Sequence, residues 1–126
     1  MENLFKALGD VNRLRILNIL IEEEPCVCEL EVVLALSQSN ASRHLGKLKS
    51  AGLVESYRDA QWTHYRLSPQ FSRDHDPLIR YLADRFRLDP VYRHDAKRFR
   101  RYRNSSYDCQ SITCCRDAVV EYLATE

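Results

Sequence analysis

Residues 26–54 read CVCELEVVLALSQSNASRHLGKLKSAGLV, and this stretch decides the fold. Its apolar residues recur every three or four positions on both sides of a short link around Leu36 and Ser37, which predicts two helices in helix-turn-helix spacing. Ser37 or Ser39 can cap the second helix, and Gly52 can end it as a glycine C-cap. After Gly52 the apolar pattern changes to strand-like alternation.

Upstream of this stretch the sequence predicts two further helices. Apolar residues at helical spacing indicate a short helix over residues 4–8, and a second helix from a cap at Asp10 to about residue 22. The helix after these is the first of the helix-turn-helix pair. We expect it to begin near Cys28, with Cys28 as the N-cap and Glu31 three residues later as in a capping box.

Downstream, residues 53–58 and 62–67 alternate as two strands of a hairpin, which should pack on the helices as a wing. Further helices are expected beyond the wing, the last of them short and beginning near Cys114. The predicted fold class is mainly α with a β-hairpin wing (α+β), a winged helix-turn-helix. Residues 1–88 are predicted as the DNA-binding and dimerisation domain, and residues 89–126 as a C-terminal helical extension with a cysteine cluster.

Charge is unevenly distributed along the chain, although 19 basic and 18 acidic residues almost cancel. Residues 1–33 hold three basic and seven acidic side chains, whereas residues 34–70 hold five basic and two acidic ones. The basic segment coincides with the wing and with the second helix of the helix-turn-helix pair, which we call the reading helix because it would contact DNA. This pattern favours a local contact with DNA over a general coating of nucleic acid.

The five cysteines are interpreted through the expected cellular compartment. No apolar run approaches the roughly 20 residues that span a bilayer, and the N-terminus lacks the features of a signal peptide. We therefore expect a cytoplasmic protein without a membrane partner. In a reducing compartment, metal binding or redox chemistry is a better explanation of these cysteines than a disulfide framework.

Six motifs occur in order over roughly residues 4–88. They are FKALGD at 5–10, NRLRIL at 12–17, CVCEL at 26–30, SQSNASRHL at 37–45, AGLV at 51–54 and YRL at 65–67. Together they resemble the ArsR/SmtB family of metal-responsive winged-helix repressors. The resemblance implies a homodimer that represses transcription at an operator and leaves it when an inducer binds. It also implies that the third helix supplies thiols and the fourth enters the major groove.

The CVCEL motif resembles the thiol site of arsenite-sensing and of cadmium- or lead-sensing members. As(III) is soft and thiol-seeking, so two close thiols suit it. Residues i and i+2 diverge by about 200° in a helix but point the same way in extended chain. Cys26 and Cys28 are therefore expected to straddle the helix start. The alternative is that Cys26 and Cys28 have no ligand and are small buried residues of the hydrophobic core.

A third sulfur has to come from elsewhere, because Glu31 stands where one arsenite-sensing pattern has a further cysteine. Cys109, Cys114 and Cys115 could complete the front site, within one protomer or across the dimer. They could also form an independent three-thiol site, or be incidental thiols of a tail. As candidate ligands we take all five cysteines: Cys26, Cys28, Cys109, Cys114 and Cys115.

The inducer predicted from these thiols is As(III), together with Sb(III), and the predicted role is a repressor of arsenic resistance genes. A Cd(II)- or Pb(II)-responsive repressor would use the same thiols and need a fourth sulfur. A thiol redox or persulfide sensor is the rival from another class.

An enzyme is not expected, because no phosphate-cradling loop beside a nucleophilic cysteine is found. The zinc site of some relatives looks absent: they carry an acid and a histidine near the position of His75 and a second such pair about three turns later, where this chain has Phe86 and Arg87.

The predicted reading helix and wing carry the candidate DNA-binding residues. Amide, hydroxyl and guanidinium groups at the start of the helix suit base edges, and later basic residues suit phosphates. His44 is expected to face DNA or to be simply exposed. The full set is Gln38, Ser39, Asn40, Ser42, Arg43, His44, Lys47, Lys49, Arg58 and Arg66.

The dimer interface has its own candidates, which could equally be intramolecular core. They are apolar residues of the first helix and of the helix after the wing: Leu4, Phe5, Leu8, Leu78, Leu82 and Phe86.

Overall fold

A computed structural model describes residues 1–124. Over these residues it contains eight α-helices and one two-stranded antiparallel sheet. The elements in chain order are α1 (Glu2–Leu8), α2 (Val11–Leu20), α3 (Val27–Leu34), α4 (Gln38–Ser50), β1 (Val54–Asp59), β2 (Trp62–Leu67), α5 (Pro69–Asp74), α6 (Asp76–Leu88), α7 (Pro90–Arg103) and α8 (Cys109–Ala124). This is the predicted mainly helical winged helix-turn-helix, with α3 and α4 as the helix pair.

Side-chain caps define the starts of two helices where the sequence predicted them. The Asp10 carboxylate accepts from the backbone N–H groups of Asn12 and Arg13 at 2.8 and 3.2 Å and so begins α2. The Ser37 hydroxyl accepts from the backbone N–H of Asn40 at 3.2 Å and begins α4. These bonds satisfy donors that have no partner inside the helix. Both caps are confirmed.

The turns around α4 depend on left-handed backbone at two positions. Ala35, at the end of α3, has φ 55°, and this residue redirects the chain into α4. Gly52, just past α4, has φ 83°, a conformation that side-chain-bearing residues rarely adopt. The chain then enters β1, which pairs with β2 from Val54 opposite Leu67 to Asp59 opposite Trp62.

The hairpin also pairs with the segment that leads into α3. The backbone N–H of Tyr65 donates to the Pro25 carbonyl at 2.9 Å, and Cys26 and His64 form an isolated antiparallel bridge. The residues just before α3 are therefore hydrogen-bonded along the inner strand of the wing.

One continuous core joins the winged helix-turn-helix to the helices that follow it. Its N-terminal part includes Ile16, Leu30 and Leu45, which are fully buried, and α7 and α8 add Tyr102 and Val119 to the same cluster. A buried ion pair reinforces the packing, because Arg15 of α2 donates to Asp95 of α7 at 2.7 Å. The C-terminal helices are thus packed directly against the helix pair.

One predicted helix start is wrong and another is incomplete, and both differences bear on the cysteines. The N-cap of α3 is Cys26 and not Cys28, because the side chain that accepts the N-cap N–H is Glu29 and not Glu31. The last helix, α8, is interrupted by non-helical backbone at Cys115, so its second part begins near the predicted Cys114, and an unpredicted first part begins at Cys109.

The candidate dimer residues divide between core and surface. Phe86 is buried against Tyr92, with 4.5 Å between ring centroids, so it is intramolecular core. Leu4, Leu8 and Leu78 are partly buried against the core, and Phe5 of α1 is exposed. Tyr81 and Leu88 of α6, which the sequence did not single out, are exposed as well. Within residues 1–124 no helix is both long enough and apolar enough to cross a membrane.

Candidate metalloid site and DNA-reading helix

Three cysteine sulfurs converge at the start of α3. The Sγ atom of Cys26 lies 2.8 Å from that of Cys28 and 2.7 Å from that of Cys109. All three sulfurs lie within 4.8 Å of one another, and we call these residues the thiol trio. All three cysteines are free thiols. The third thiol therefore comes from the same protomer, 83 residues along the chain.

The convergence of Cys26 and Cys28 follows from the local backbone. Cys26 is the N-cap and has extended backbone, with φ −80° and ψ 163°, whereas Cys28 lies in the first turn of α3. Two residues spaced i and i+2 inside a regular helix would point about 200° apart. Because one of the pair precedes the helix, both sulfurs face the same side.

Cys109 reaches the other two thiols because α8 packs along α3. Cys109 is the first residue of α8, and Ile112 and Val119 of the same helix are buried in the common core. An ion pair between Arg116 and Glu31 at 3.0 Å further joins α8 to α3. Docking of α8 therefore sets the position of the third sulfur.

The remaining two cysteines lie outside the thiol trio. Cys114 and Cys115 are exposed, and Cys115 sits at the non-helical kink of α8, with φ −143° and ψ 49°. The structure thus brings together three of the five candidate ligands predicted from the sequence.

Hydrogen bonding among the thiols redistributes their protons. The bond with the Cys28 thiol, helped by one with Cys109, lowers the pKa of Cys26 to about 7, although burial opposes this change. The same bond raises the pKa of Cys28, and burial raises the pKa of Cys109. We interpret the trio at neutral pH as one partly formed thiolate on Cys26 that accepts from two thiols, and the thiolate is the form that binds soft ions.

A buried acid–phenol–guanidinium group lies behind the trio. Glu29 is 2% exposed, and its Oε1 atom accepts from the backbone N–H of Cys26 at 2.9 Å. Its Oε2 atom accepts from the Tyr102 hydroxyl at 2.5 Å and from Arg103 Nη1 at 2.9 Å. Burial, with a further contribution from Glu29, raises the pKa of Tyr102 well above its usual range, so Tyr102 remains a donor.

None of these three supporting residues was predicted from the sequence. Glu29 carries a local signal, since an acid three residues after an N-cap is typical of a capping box, but the cap was placed two residues too late. Tyr102 and Arg103 lie more than 70 residues from Glu29 along the chain, and no spacing pattern links them to the CVCEL motif.

The wing is connected to the trio through the residues that precede Cys26. The Tyr57 hydroxyl donates to the Glu24 carboxylate at 2.7 Å, and His64 Nδ1 lies 2.8 Å from the Glu24 carbonyl. The rings of Tyr57 and His64 stack with centroids 5.3 Å apart. His64 is therefore occupied by contacts with Tyr57 of the wing and with Glu24.

The exposed face of α4 holds most of the candidate DNA-binding residues. Six of the candidates on this helix are exposed to solvent: Gln38, Ser39, Asn40, Ser42, Arg43 and Lys47. Lys49 is also exposed and donates to the Ser56 hydroxyl at 2.9 Å, which joins α4 to β1. On the wing, Arg58 is exposed, whereas Arg66 is half-buried and paired with Glu55 at 2.7 Å.

His44 is the exception among these candidates, and its predicted exposure is wrong. The residue is 1% exposed, and its Nδ1 atom lies 3.2 Å from Arg13 Nη1. Arg13 also donates to the carbonyls of Ala7 and Lys6. His44 faces the core because it lies one turn from Ala41 and Leu48 on the apolar side of α4. It fastens α4 to the junction of α1 and α2, and burial lowers its pKa.

Replacing Cys28 tests the shared-proton arrangement of the thiol trio. Cys28→Ala removes the main cause of the low Cys26 pKa, so the thiolate absorbance step near pH 7 should move upward by about one pH unit. The measurement is an ultraviolet pH titration of the reduced protein. Cys114→Ala is the matched control and should leave that step in place; an unmoved step in Cys28→Ala would contradict the arrangement.

Comparison with known proteins agrees with this architecture. A family model described as "Bacterial regulatory protein, arsR family" matches residues 10–56. ArsR1, an arsenic resistance transcriptional regulator of Pseudomonas putida, is 40% identical over 82 residues, which are 64% of each chain. The arsenical resistance operon repressor of Escherichia coli is 48% identical over 67 residues, 52% of this chain and 57% of the relative. The cadmium resistance regulator CadC of Listeria innocua is 38% identical over 66 residues, 52% of this chain and 56% of the relative.

The matches to these curated relatives span roughly three fifths of their length. Solved structures are covered more fully. HlyU from Vibrio cholerae has 40% identity and a TM-score of 0.57, with 64% of this chain and 84% of that chain covered. The homodimeric winged helix-turn-helix domain of Mb0332 from Mycobacterium bovis has 31% identity and a TM-score of 0.58, with 66% and 77% covered. The family consists of transcriptional regulators and not of enzymes. The chain belongs to the ArsR family of bacterial regulatory proteins.

Proposed function

We propose that this protein is a repressor that binds operator DNA as a homodimer and is released by As(III), and also by Sb(III), to control arsenic resistance genes. The observation that carries the proposal is the thiol trio, in which Cys26, Cys28 and Cys109 place three sulfurs within 4.8 Å of one another. The names of two relatives, an arsenic resistance regulator and an arsenical resistance repressor, support it.

The donor set fits a soft, three-coordinate inducer. Thiolates are the ligands that soft ions prefer, and the trio supplies three sulfurs from one protomer. A Cd(II) or Pb(II) sensor is the runner-up, supported by the similarity to CadC. It would need a fourth sulfur, and both remaining cysteines are exposed and outside the trio.

The DNA contact is assigned to the exposed face of α4. Gln38, Ser39 and Arg43 lie at its N-terminal end, where side chains of a reading helix reach base edges. Lys47, Lys49 and Arg58 are exposed beside them and suit phosphates. Arg66 would have to leave its pair with Glu55 to contribute, so we rank it below the others.

The homodimer is assigned to α1 and α6. Phe5, Tyr81 and Leu88 on these helices are large apolar residues exposed in the protomer, and a second copy would cover them. The similar domain from Mycobacterium bovis is described as homodimeric. Two α4 helices in such a dimer would read half-sites about one turn of DNA, roughly 10 bp, or a multiple of it apart.

Release follows from where the thiol trio lies. Inducer bound by three sulfurs joins the residues before α3, the first turn of α3 and the start of α8 into one rigid unit. The residues before α3 are hydrogen-bonded to β2, and α3 is linked to α4 by three residues only. A change in the backbone at Cys26 is therefore passed to both the wing and the reading helix.

A second candidate, a thiol redox sensor, is favoured by one observation. Cys26 lies within 2.8 Å of two other thiols, and its pKa is about 7, so it is a partly formed thiolate beside a resolving thiol. Peroxide would then oxidise two thiols to a disulfide and be reduced to water. A single titration of the DNA complex, described next, distinguishes release by a metalloid from release by an oxidant.

Fluorescence anisotropy of a labelled operator duplex, titrated with As(III), Cd(II) or peroxide, tests the function. As(III) should release the wild-type protein from the operator and so lower the anisotropy of the duplex. Cys26→Ser, Cys28→Ser and Cys109→Ser should each remain bound, because each leaves only two sulfurs. The double variant Cys114→Ser/Cys115→Ser is the matched control and should be released like wild type.

Three outcomes would contradict the proposal. Release of Cys109→Ser at the wild-type As(III) concentration would exclude the trio as the site. Release of wild type by Cd(II) but not As(III) would favour the runner-up. Release by peroxide alone would favour the redox sensor.

Two substitutions on α4 test the assignment of the DNA contact. Arg43→Ala should weaken operator binding by about 1–3 kcal/mol if Arg43 contacts a base. Lys47→Gln should weaken binding to all sequences alike and reduce the slope of log affinity against log salt by about one, because one phosphate contact is lost. Lys97→Gln on α7 is the matched control, and unchanged affinity in both test variants would exclude this face.

A further inference from the structure

We propose that Glu29 is a specificity residue of the thiol trio, whose buried carboxylate disfavours divalent soft ions such as Cd(II) relative to As(III). This inference rests on the proposed function, because it assumes that Cys26, Cys28 and Cys109 bind the inducer.

Glu29 lies close to the trio and cannot move away from it. It follows Cys28 directly in α3, and its Oε1 atom accepts from the backbone N–H of Cys26 at 2.9 Å. The Tyr102 hydroxyl and Arg103 hold its other oxygen. With its side chain 3% exposed, the carboxylate is fixed beside the sulfurs and shielded from solvent.

The two kinds of inducer leave different charges on the trio. Arsenous acid, As(OH)₃, is neutral. When three thiols displace its three hydroxides, three As–O and three S–H bonds break, three As–S bonds form and three water molecules leave. No electron is transferred, and the product is neutral. Cd(II) displaces three protons from the same thiols into solvent, and its three-thiolate product carries one negative charge.

A negative product beside Glu29 is penalised, whereas a neutral one is not. Like charges repel strongly where solvent is excluded. Arg103 offsets part of this repulsion, but it binds the carboxylate oxygen that does not contact Cys26, and its side chain is 38% exposed and so better screened by water. The carboxylate is therefore the less screened of the two charges and the one hydrogen-bonded directly to Cys26.

A second acid of the same helix provides a matched control. Glu31 lies two residues further along α3, its side chain is 5% exposed, and it pairs with Arg116 at 3.0 Å. It makes no hydrogen bond to a residue of the thiol trio within the described part of the chain. Glu31→Gln thus removes an equally buried charge of α3 without removing the one beside Cys26.

The experiment measures the ratio of Cd(II) affinity to As(III) affinity by ultraviolet titration of the full-length protein against a competing dithiol, without DNA. Glu29→Gln keeps the size of the side chain and an acceptor for the Cys26 N–H, and it should raise the ratio by about tenfold. Glu31→Gln also breaks the Arg116 ion pair that helps to dock α8, so it should lower both affinities alike and leave their ratio unchanged. Arg103→Gln, which exposes the trio to the uncompensated carboxylate, should lower the ratio.

The inference would be overturned if Glu29→Gln left the affinity ratio unchanged, or if Glu31→Gln shifted the ratio equally. The proposed function would remain intact in either case as long as the variants still bind As(III). If circular dichroism shows that Glu29→Gln does not fold, Arg103→Gln decides: a lowered ratio supports the inference, and an unchanged or raised ratio overturns it. If Cys26→Ser and Cys109→Ser bind both inducers as wild type does, the proposed function fails and this inference fails with it.

Discussion

The backbone at Cys26 is the constraint on which the candidate site depends. Cys26 stands just outside α3 in extended conformation, and the Glu29 carboxylate holds it there by accepting its N–H at 2.9 Å. If α3 began one turn earlier, Cys26 and Cys28 would diverge on the helix surface and could not share an ion. A helix start, and not a loop, therefore brings two thiols of a three-residue motif together.

The rest of the fold brings other elements to that helix start. Docking of α8 supplies Cys109, α7 supplies the Tyr102 hydroxyl, and the wing is hydrogen-bonded to the residues before the cap. The reading helix follows α3 after a tight turn at Ala35, so α3 cannot shift without moving α4. In the proposed function, sensing and DNA reading share one short helix, whose N-terminal end would bind the inducer and whose C-terminal end leads to α4.

Local sequence signals predicted the fold well, and the site only in part. Caps at Asp10 and Ser37, the glycine after α4 and the alternating wing strands are short-range features, and all of them are confirmed. The N-cap of α3 was placed two residues late because Glu29 and Glu31 both stand three residues after a cysteine. The buried position of His44 and the role of Tyr102 depend on packing between distant segments, which no spacing in the sequence records. The choice of Cys109 over Cys114 and Cys115 likewise depends on how α8 docks on α3.

The central claim is that three sulfurs of one protomer bind the inducer together. X-ray absorption at the arsenic edge measures it directly, because the number of sulfur neighbours of bound As(III) can be counted. The account predicts three sulfurs and one arsenic per protomer in wild type, and two sulfurs in Cys109→Ser. Three sulfurs in Cys109→Ser, or two in wild type, would contradict it, since the third ligand would then come from elsewhere or not exist.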